Sequence, residues 1–149
     1  MKAAILLLLL MLTPDPTPAI QTAQGEFDVK VVPTETHHKD PSYGRYYSDK
    51  VYRGELEGTA IGEMLAAGTG AAGSSGAYVA MERVTGKLHG KSGSFTLYHS
   101  GVMEPGKMSM SVNVVPGSGT GELTGITGKL AITIEGKKHF YKLEYSLPK

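Results

Sequence analysis

Hydrophobic and polar residues alternate along most of this chain with the period of a β-strand, and helical spacing is nearly absent. The most telling stretch is Ser109 to Ile134. Met110, Val112 and Val114 mark one buried face before a glycine-rich connection, and Leu130, Ile132 and Ile134 mark another after it. Glycine at almost every second or third position of that connection supplies the backbone freedom of close turns, so the stretch predicts two antiparallel strands joined over a barrel end.

The same pattern places the other strands. Phe27, Val29 and Val31 alternate with Asp28 and Lys30, and Tyr52, Gly54 and Leu56 alternate with Arg53, Glu55 and Glu57. Pro33 to Asp49, with two prolines, adjacent histidines and the sequence GRYY, reads as a long mobile connection over one end, a candidate lid. Gly58 ends the second strand. Thr59, Ile61, Glu63 and Leu65 begin a third that dissolves into the small-residue linker AAGTGAAGSSGA.

A fourth strand is predicted from Ala77 to Thr85 and a fifth from Ser94 to Met103, with Gly90 to Gly93 as their hairpin connection. The fifth strand puts Phe95, Leu97 and His99 on one face. Lys107 to Val115, Lys129 to Glu135 and a C-terminal strand follow, the last directing Tyr141, Leu143, Tyr145 and Leu147 one way. The total is about eight strands, the number at which a closed antiparallel barrel just holds side chains or one small ligand. Closure also removes exposed edges.

Composition narrows the functional classes. The formal net charge is +1 with both signs scattered, which argues against a nucleic-acid surface and against electrostatic attachment to a membrane. The absence of cysteine excludes disulfides, thiol nucleophiles, thiolate metal sites and a lipidated N-terminal cysteine. Lys2, the apolar run Ala3 to Leu12 and the helix-ending Pro14, Pro16 and Pro18 form a signal-peptide pattern, with Thr17-Pro18-Ala19 as the preferred cleavage signal. The expectation is an exported, periplasmic or extracellular protein without a stable membrane anchor. Its organisation is a signal peptide and leader over residues 1–23 and one β-barrel domain over residues 24–149, enough for one core.

Candidate chemistry comes from polar groups on apolar faces. Glu63 shares a face with Ile61 and Leu65, His99 follows Phe95 and Leu97, and the neighbours Glu82 and Arg83 point to opposite faces, so one of the two charges enters the barrel in either register. Glu63, Glu82 and His99 are the candidate catalytic residues, and Arg83, Tyr141 and Tyr145 the candidate ligand-binding residues. A carboxylate raised toward neutrality beside an imidazole would exchange protons with a substrate, with Tyr141 or Tyr145 donating to a developing oxyanion. The competing account is an ordinary satisfied core network. His37 and His38 with Asp40 lack a third ligand placed by spacing, so no metal and no cofactor is expected. The glycine run lacks the lysine-serine ending of a phosphate loop, and no nucleophile elbow is present.

RGELEGTA at Arg53 to Ala60, MERVTGKLHGKSGSFTLYHSG at Met81 to Gly101, VVPGSGTGELTGITG at Val114 to Gly128 and YKLEYSL near the end resemble the bacterial domain of unknown function 3224 family. The resemblance covers essentially everything after Glu26. It implies an all-β fold, an eight-stranded antiparallel barrel of the allene oxide cyclase type. Similar barrels include plant allene oxide cyclases, dirigent proteins and polyketide spirocyclases, which bind apolar small molecules; relatives often form homo-oligomers. No motif transfers a cyclase's catalytic residues to positions of this chain. Three classes remain: a metal-free cyclase or isomerase acting on an apolar small molecule, a non-catalytic carrier of such a ligand, and an exported interaction module presenting Tyr43, Tyr46 and Tyr47. The volume of the barrel interior and the convergence of Glu63, Glu82 and His99 separate them.

Overall fold

In the computed structural model, which describes residues 17–68 and 73–148, the chain is a closed barrel of eight antiparallel strands. In chain order they are β1 (Gln21–Thr34), β2 (Tyr43–Gly54), β3 (Leu56–Gly68), β4 (Gly76–Leu88), β5 (Lys91–Glu104), β6 (Lys107–Val114), β7 (Thr127–Glu135) and β8 (Lys138–Ser146). Each pairs with its sequence neighbours, and β1 closes the ring on β8 from Gln21 opposite Tyr145 to Phe27 opposite His139. Gln21 to Ala23 are therefore part of the closing strand, and Ala23 is fully buried, so the barrel begins ahead of residue 24. The apolar run Ala3 to Leu12, expected to be part of a signal peptide, lies outside the described residues.

The up-and-down order gives the barrel two different ends. The β2–β3, β4–β5 and β6–β7 connections close one of them, where Leu56, Leu88, Leu123 and Ile126 are fully or almost fully buried. Gly58, Gly86 and Gly93 form a row across β3, β4 and β5 near this end. A Cβ on Gly58 would strike the carbonyl of Thr85, and one on Gly86 the carbonyl of Glu57. Only glycine allows the strands to approach that closely, which is the physical reason for Gly58 in the first motif and for Gly86 and Gly93 in the second.

The glycine-rich connection has a second task. β6 pairs with β5 only from Leu97 onward, and with β7 through Asn113 and Lys129. Residues 115–124 supply the missing partner to the first half of β5: Val115 donates its N–H to the Thr96 carbonyl at 2.8 Å, and Thr120 to the Ser94 carbonyl at 2.8 Å. A single 3-10 turn, Gly121–Leu123, follows, and it brings Leu123 and then Ile126 into the closed end. This turn is the only helical element among the described residues.

Two sequence expectations change. The expected connection Pro33 to Asp49 shrinks to residues 35–42, because β1 runs to Thr34 and β2 starts at Tyr43. Polar and aromatic residues without an aliphatic partner disguised the first half of β2 as loop. The chain also reverses between Gly54 and Leu56, where Gly54 has a φ of 108°, instead of running straight to Gly58. Tyr52 and Leu56 both face inward from opposite sides of that turn, so the apparent alternation crosses it unbroken.

Candidate functional site

The open end, where the β1–β2, β3–β4, β5–β6 and β7–β8 connections meet, contains a cavity of about 190 Å³. Its lining residues come from the strand ends that point there, including Val31, Met64, Tyr78, His99, Met110 and Ile134. Tyr46 and Met108 line both this cavity and a wider vestibule of about 650 Å³ between the rim connections. Aliphatic, methionine and aromatic side chains make the walls apolar, and methionine lets such walls adapt in shape.

A polar cluster forms the floor. Glu82 on β4 is 3% exposed and points inward, which settles the Glu82–Arg83 register. Tyr52 Oη donates to Glu82 Oε1 at 2.6 Å, and Lys50 Nζ lies 2.5 Å from Oε2. The Lys50 ammonium also stands 4.9 Å from the centroid of the Phe27 ring, a cation–π contact that helps hold a cation in an apolar place. Sequence reasoning missed Lys50, since a strand lysine ordinarily faces water. Its parity was the available signal: Lys50 and Tyr52 share a face, and Val51 between them is exposed.

His99 on β5 completes the floor and is 6% exposed. Its Nε2 lies 3.4 Å from Glu82 Oε2, within ion-pair range, but the contact does not make a hydrogen bond. Nε2 is the one buried side-chain polar atom without a hydrogen-bond partner among the described residues. Burial pushes the Glu82 carboxyl up, but the His99 imidazole and the Lys50 ammonium outweigh it and hold the group at about 2. The expected carboxylate near neutrality is thus replaced by one ionised throughout the physiological range. Tyr52 moves the other way: burial and then the Glu82 charge raise it well above its ordinary value, so it remains a hydrogen-bond donor.

The remaining candidates lie elsewhere. Glu63 points out of the barrel and pairs with Arg45, its side chain 67% exposed. Its neighbours Ile61 and Leu65 are exposed too, part of an apolar outer strip that continues through Val79, Met81 and Val102 on β4 and β5. Around Glu63 the inward positions of β3 are Ala60, Gly62 and Met64, and the first two carry too little side chain to read as a core face. Arg83 also points outward. It donates to Ser94 Oγ at 2.6 Å, Thr96 Oγ1 at 3.3 Å and the Ser118 carbonyl at 3.2 Å, clamping the glycine-rich connection to β5.

Tyr141 and Tyr145 do enter the core, but at the closed end, away from the cavity. Tyr141 Oη accepts from the Leu56 N–H at 2.8 Å and so caps the β2–β3 turn, and Tyr145 Oη meets His89 Nδ1 at 2.7 Å beside the β4–β5 turn. The structure therefore brings Glu82 and His99 together with Lys50 and Tyr52, leaves Tyr141 touching this group through the edge of the Tyr52 ring at 5.4 Å between centroids, and separates it from Glu63, Arg83 and Tyr145.

The family described as "Protein of unknown function (DUF3224)" matches residues 23–145. A crystal structure of a protein with unknown function from that family, from Shewanella oneidensis MR-1, is 43% identical, covers 88% of this chain and 100% of its own, and superposes with a TM-score of 0.81. No curated protein matches the chain. A family match over most of the sequence, joined to a barrel this similar, establishes that the chain belongs to the DUF3224 family.

Proposed function

We propose that this barrel is a small-molecule binding protein that holds an apolar ligand at its open end without transforming it. One observation carries the reading: an apolar cavity of about 190 Å³ whose ionised groups are already paired with one another at its floor. A cavity of about 150 Å³ suffices for benzene, so a single ring or a short chain is the scale of the ligand. Acid–base turnover has less support. A cyclase or isomerase needs a group that gives and takes a proton near neutrality, whereas Glu82 is held at about 2 and engaged by Lys50 and Tyr52, and Glu63 faces solvent. The signal-peptide pattern of the leader supports an exported carrier.

Titration with propylbenzene, followed through the methyl resonances of Met64, Met108 and Met110, tests the reading. Saturable shifts are expected in the wild type and their loss in Met64→Trp, where the indole fills the cavity. Shifts that do not saturate, or that persist unchanged in Met64→Trp, would overturn it.

A further inference from the structure

We infer that the seam between β6 and β7 is a docking site for an extended segment of a partner protein, uncharged along its length and apolar at every second residue, which enters as an added strand. The inference goes beyond the binding reading above and does not depend on it. Its first support is the pairing. Every other seam of the barrel is a ladder of many rungs, whereas β6 and β7 share the single pair Asn113 and Lys129. From there to the open end, Lys107 to Val112 and Leu130 to Glu135 run past each other without a paired rung among the described residues. Alternate residues of a strand turn both N–H and C=O to the same side, so each edge presents a row of main-chain donors and acceptors to the split.

Burial shows the same parting. Continued toward the rim, the register of Asn113 and Lys129 sets Val112 opposite Leu130, Met110 opposite Ile132 and Met108 opposite Ile134. Val112 and Leu130 are 3% and 4% exposed, whereas Met108 and Ile134, which line the cavity, are 51% and 54% exposed. The seam is shut at its foot and open above. Exposed edges are ordinarily guarded by lysine, proline or an inward charge, yet Met108 to Asn113 and Leu130 to Ile134 contain no charged residue and no proline. The charges stand at the ends: Lys107 and Glu135 at the rim, of opposite sign, and Lys129 at the foot, paired with Glu144 at 3.1 Å. A net charge on the guest therefore gains nothing there. Methionine and isoleucine on the inner side, with exposed Ser109, Ser111, Ala131 and Thr133 on the outer, ask for a guest that alternates apolar and polar residues. A small organic ligand could touch the inner side, but two facing rows of main-chain groups are matched by another main chain.

The test uses the full protein and the acetylated, amidated heptapeptide TVTVTVT, with the same peptide N-methylated at its three valines to remove the donors along one edge. Isothermal titration reads affinity, and amide hydrogen exchange reads the place of binding. In the free protein, alternate amides of Met108 to Val112 and Leu130 to Ile134 should exchange fast, the peptide should slow them, and the methylated form should bind at least about tenfold more weakly. In the double variant Ser111→Cys with Ala131→Cys, which introduces the chain's only cysteines, oxidation should zip the seam and abolish peptide binding, and reduction should restore it. Slow exchange of all these amides in the free protein would show a closed seam and overturn the inference. So would absence of peptide binding, equal affinity of the methylated peptide, or binding that leaves these amides unprotected. Protection that rises with protein concentration alone would assign the split to a second copy of the chain and overturn the peptide partner. Each of these outcomes is independent of the propylbenzene titration, which judges the binding reading by itself.

Discussion

Replacing Glu82 by glutamine should remove that carboxylate's share of the pH dependence of stability in the acid range. The carboxyl falls from an ordinary 4.5 to about 2 in the folded protein. At about 1.4 kcal/mol per pH unit, that difference is worth about 3 kcal/mol of folding stability. The sign follows from proton counting. Between the two values the unfolded chain binds a proton that the folded chain does not, so this contribution is complete above about 4.5 and is lost as pH falls through about 2. Near pH 7, Glu82→Gln leaves the buried Lys50 beside a neutral amide, and breaking a buried pair from one side costs about 3–5 kcal/mol. Urea unfolding of both proteins between pH 7 and pH 2, followed by circular dichroism, should therefore show a large stability gap at neutrality that narrows as the pH falls. Asp40 is also held low, by its hydrogen bonds with Ser42, and Glu144 by Lys129 and Lys142; both contribute equally to wild type and variant and cancel in the difference. A gap that stays constant over the whole range would refute the ionised, paired state assigned to Glu82.

Arg83→Met should lower stability by about 1–2 kcal/mol, because it releases the charged clamp between β5 and the Ser118 carbonyl, and should leave affinity for propylbenzene unchanged; paired urea and ligand titrations read both. Tyr141→Phe should cost about 1–3 kcal/mol in urea unfolding by leaving the buried Leu56 N–H without its acceptor, again with no effect on binding, because that hydroxyl belongs to the closed end.

Strand parity made the inward direction of His99, Tyr141 and Tyr145 legible, and it required Glu82 or Arg83 to enter the barrel. Parity says nothing of height along the barrel axis. That is why two tyrosines that cap turns at the closed end were placed in one predicted site with a histidine that lines the cavity of the open end. Glu63 misled for a different reason. The exposed Ile61 and Leu65 imitate a buried face, while the true interior of β3 uses alanine and glycine, which carry little hydrophobic signal. Lys50 was hidden because its burial depends on Glu82, thirty-two positions away in sequence and brought to it only by the pairing of β2 with β3 and of β3 with β4. Pairing across strands is tertiary information. The local alternation that located the strands does not contain it.

The seam between β1 and β8 limits how far the N-terminus can be trimmed. Removal of the chain through Ala19 leaves every rung of that seam in place, from Gln21 opposite Tyr145 downward. A cut after Ala23 deletes three rungs and strips the cover from the backbone of Glu144 and Tyr145, turning the last strand into a sticky margin open to other chains. The closing strand thus fixes, within a few residues, the shortest chain that still shuts the ring.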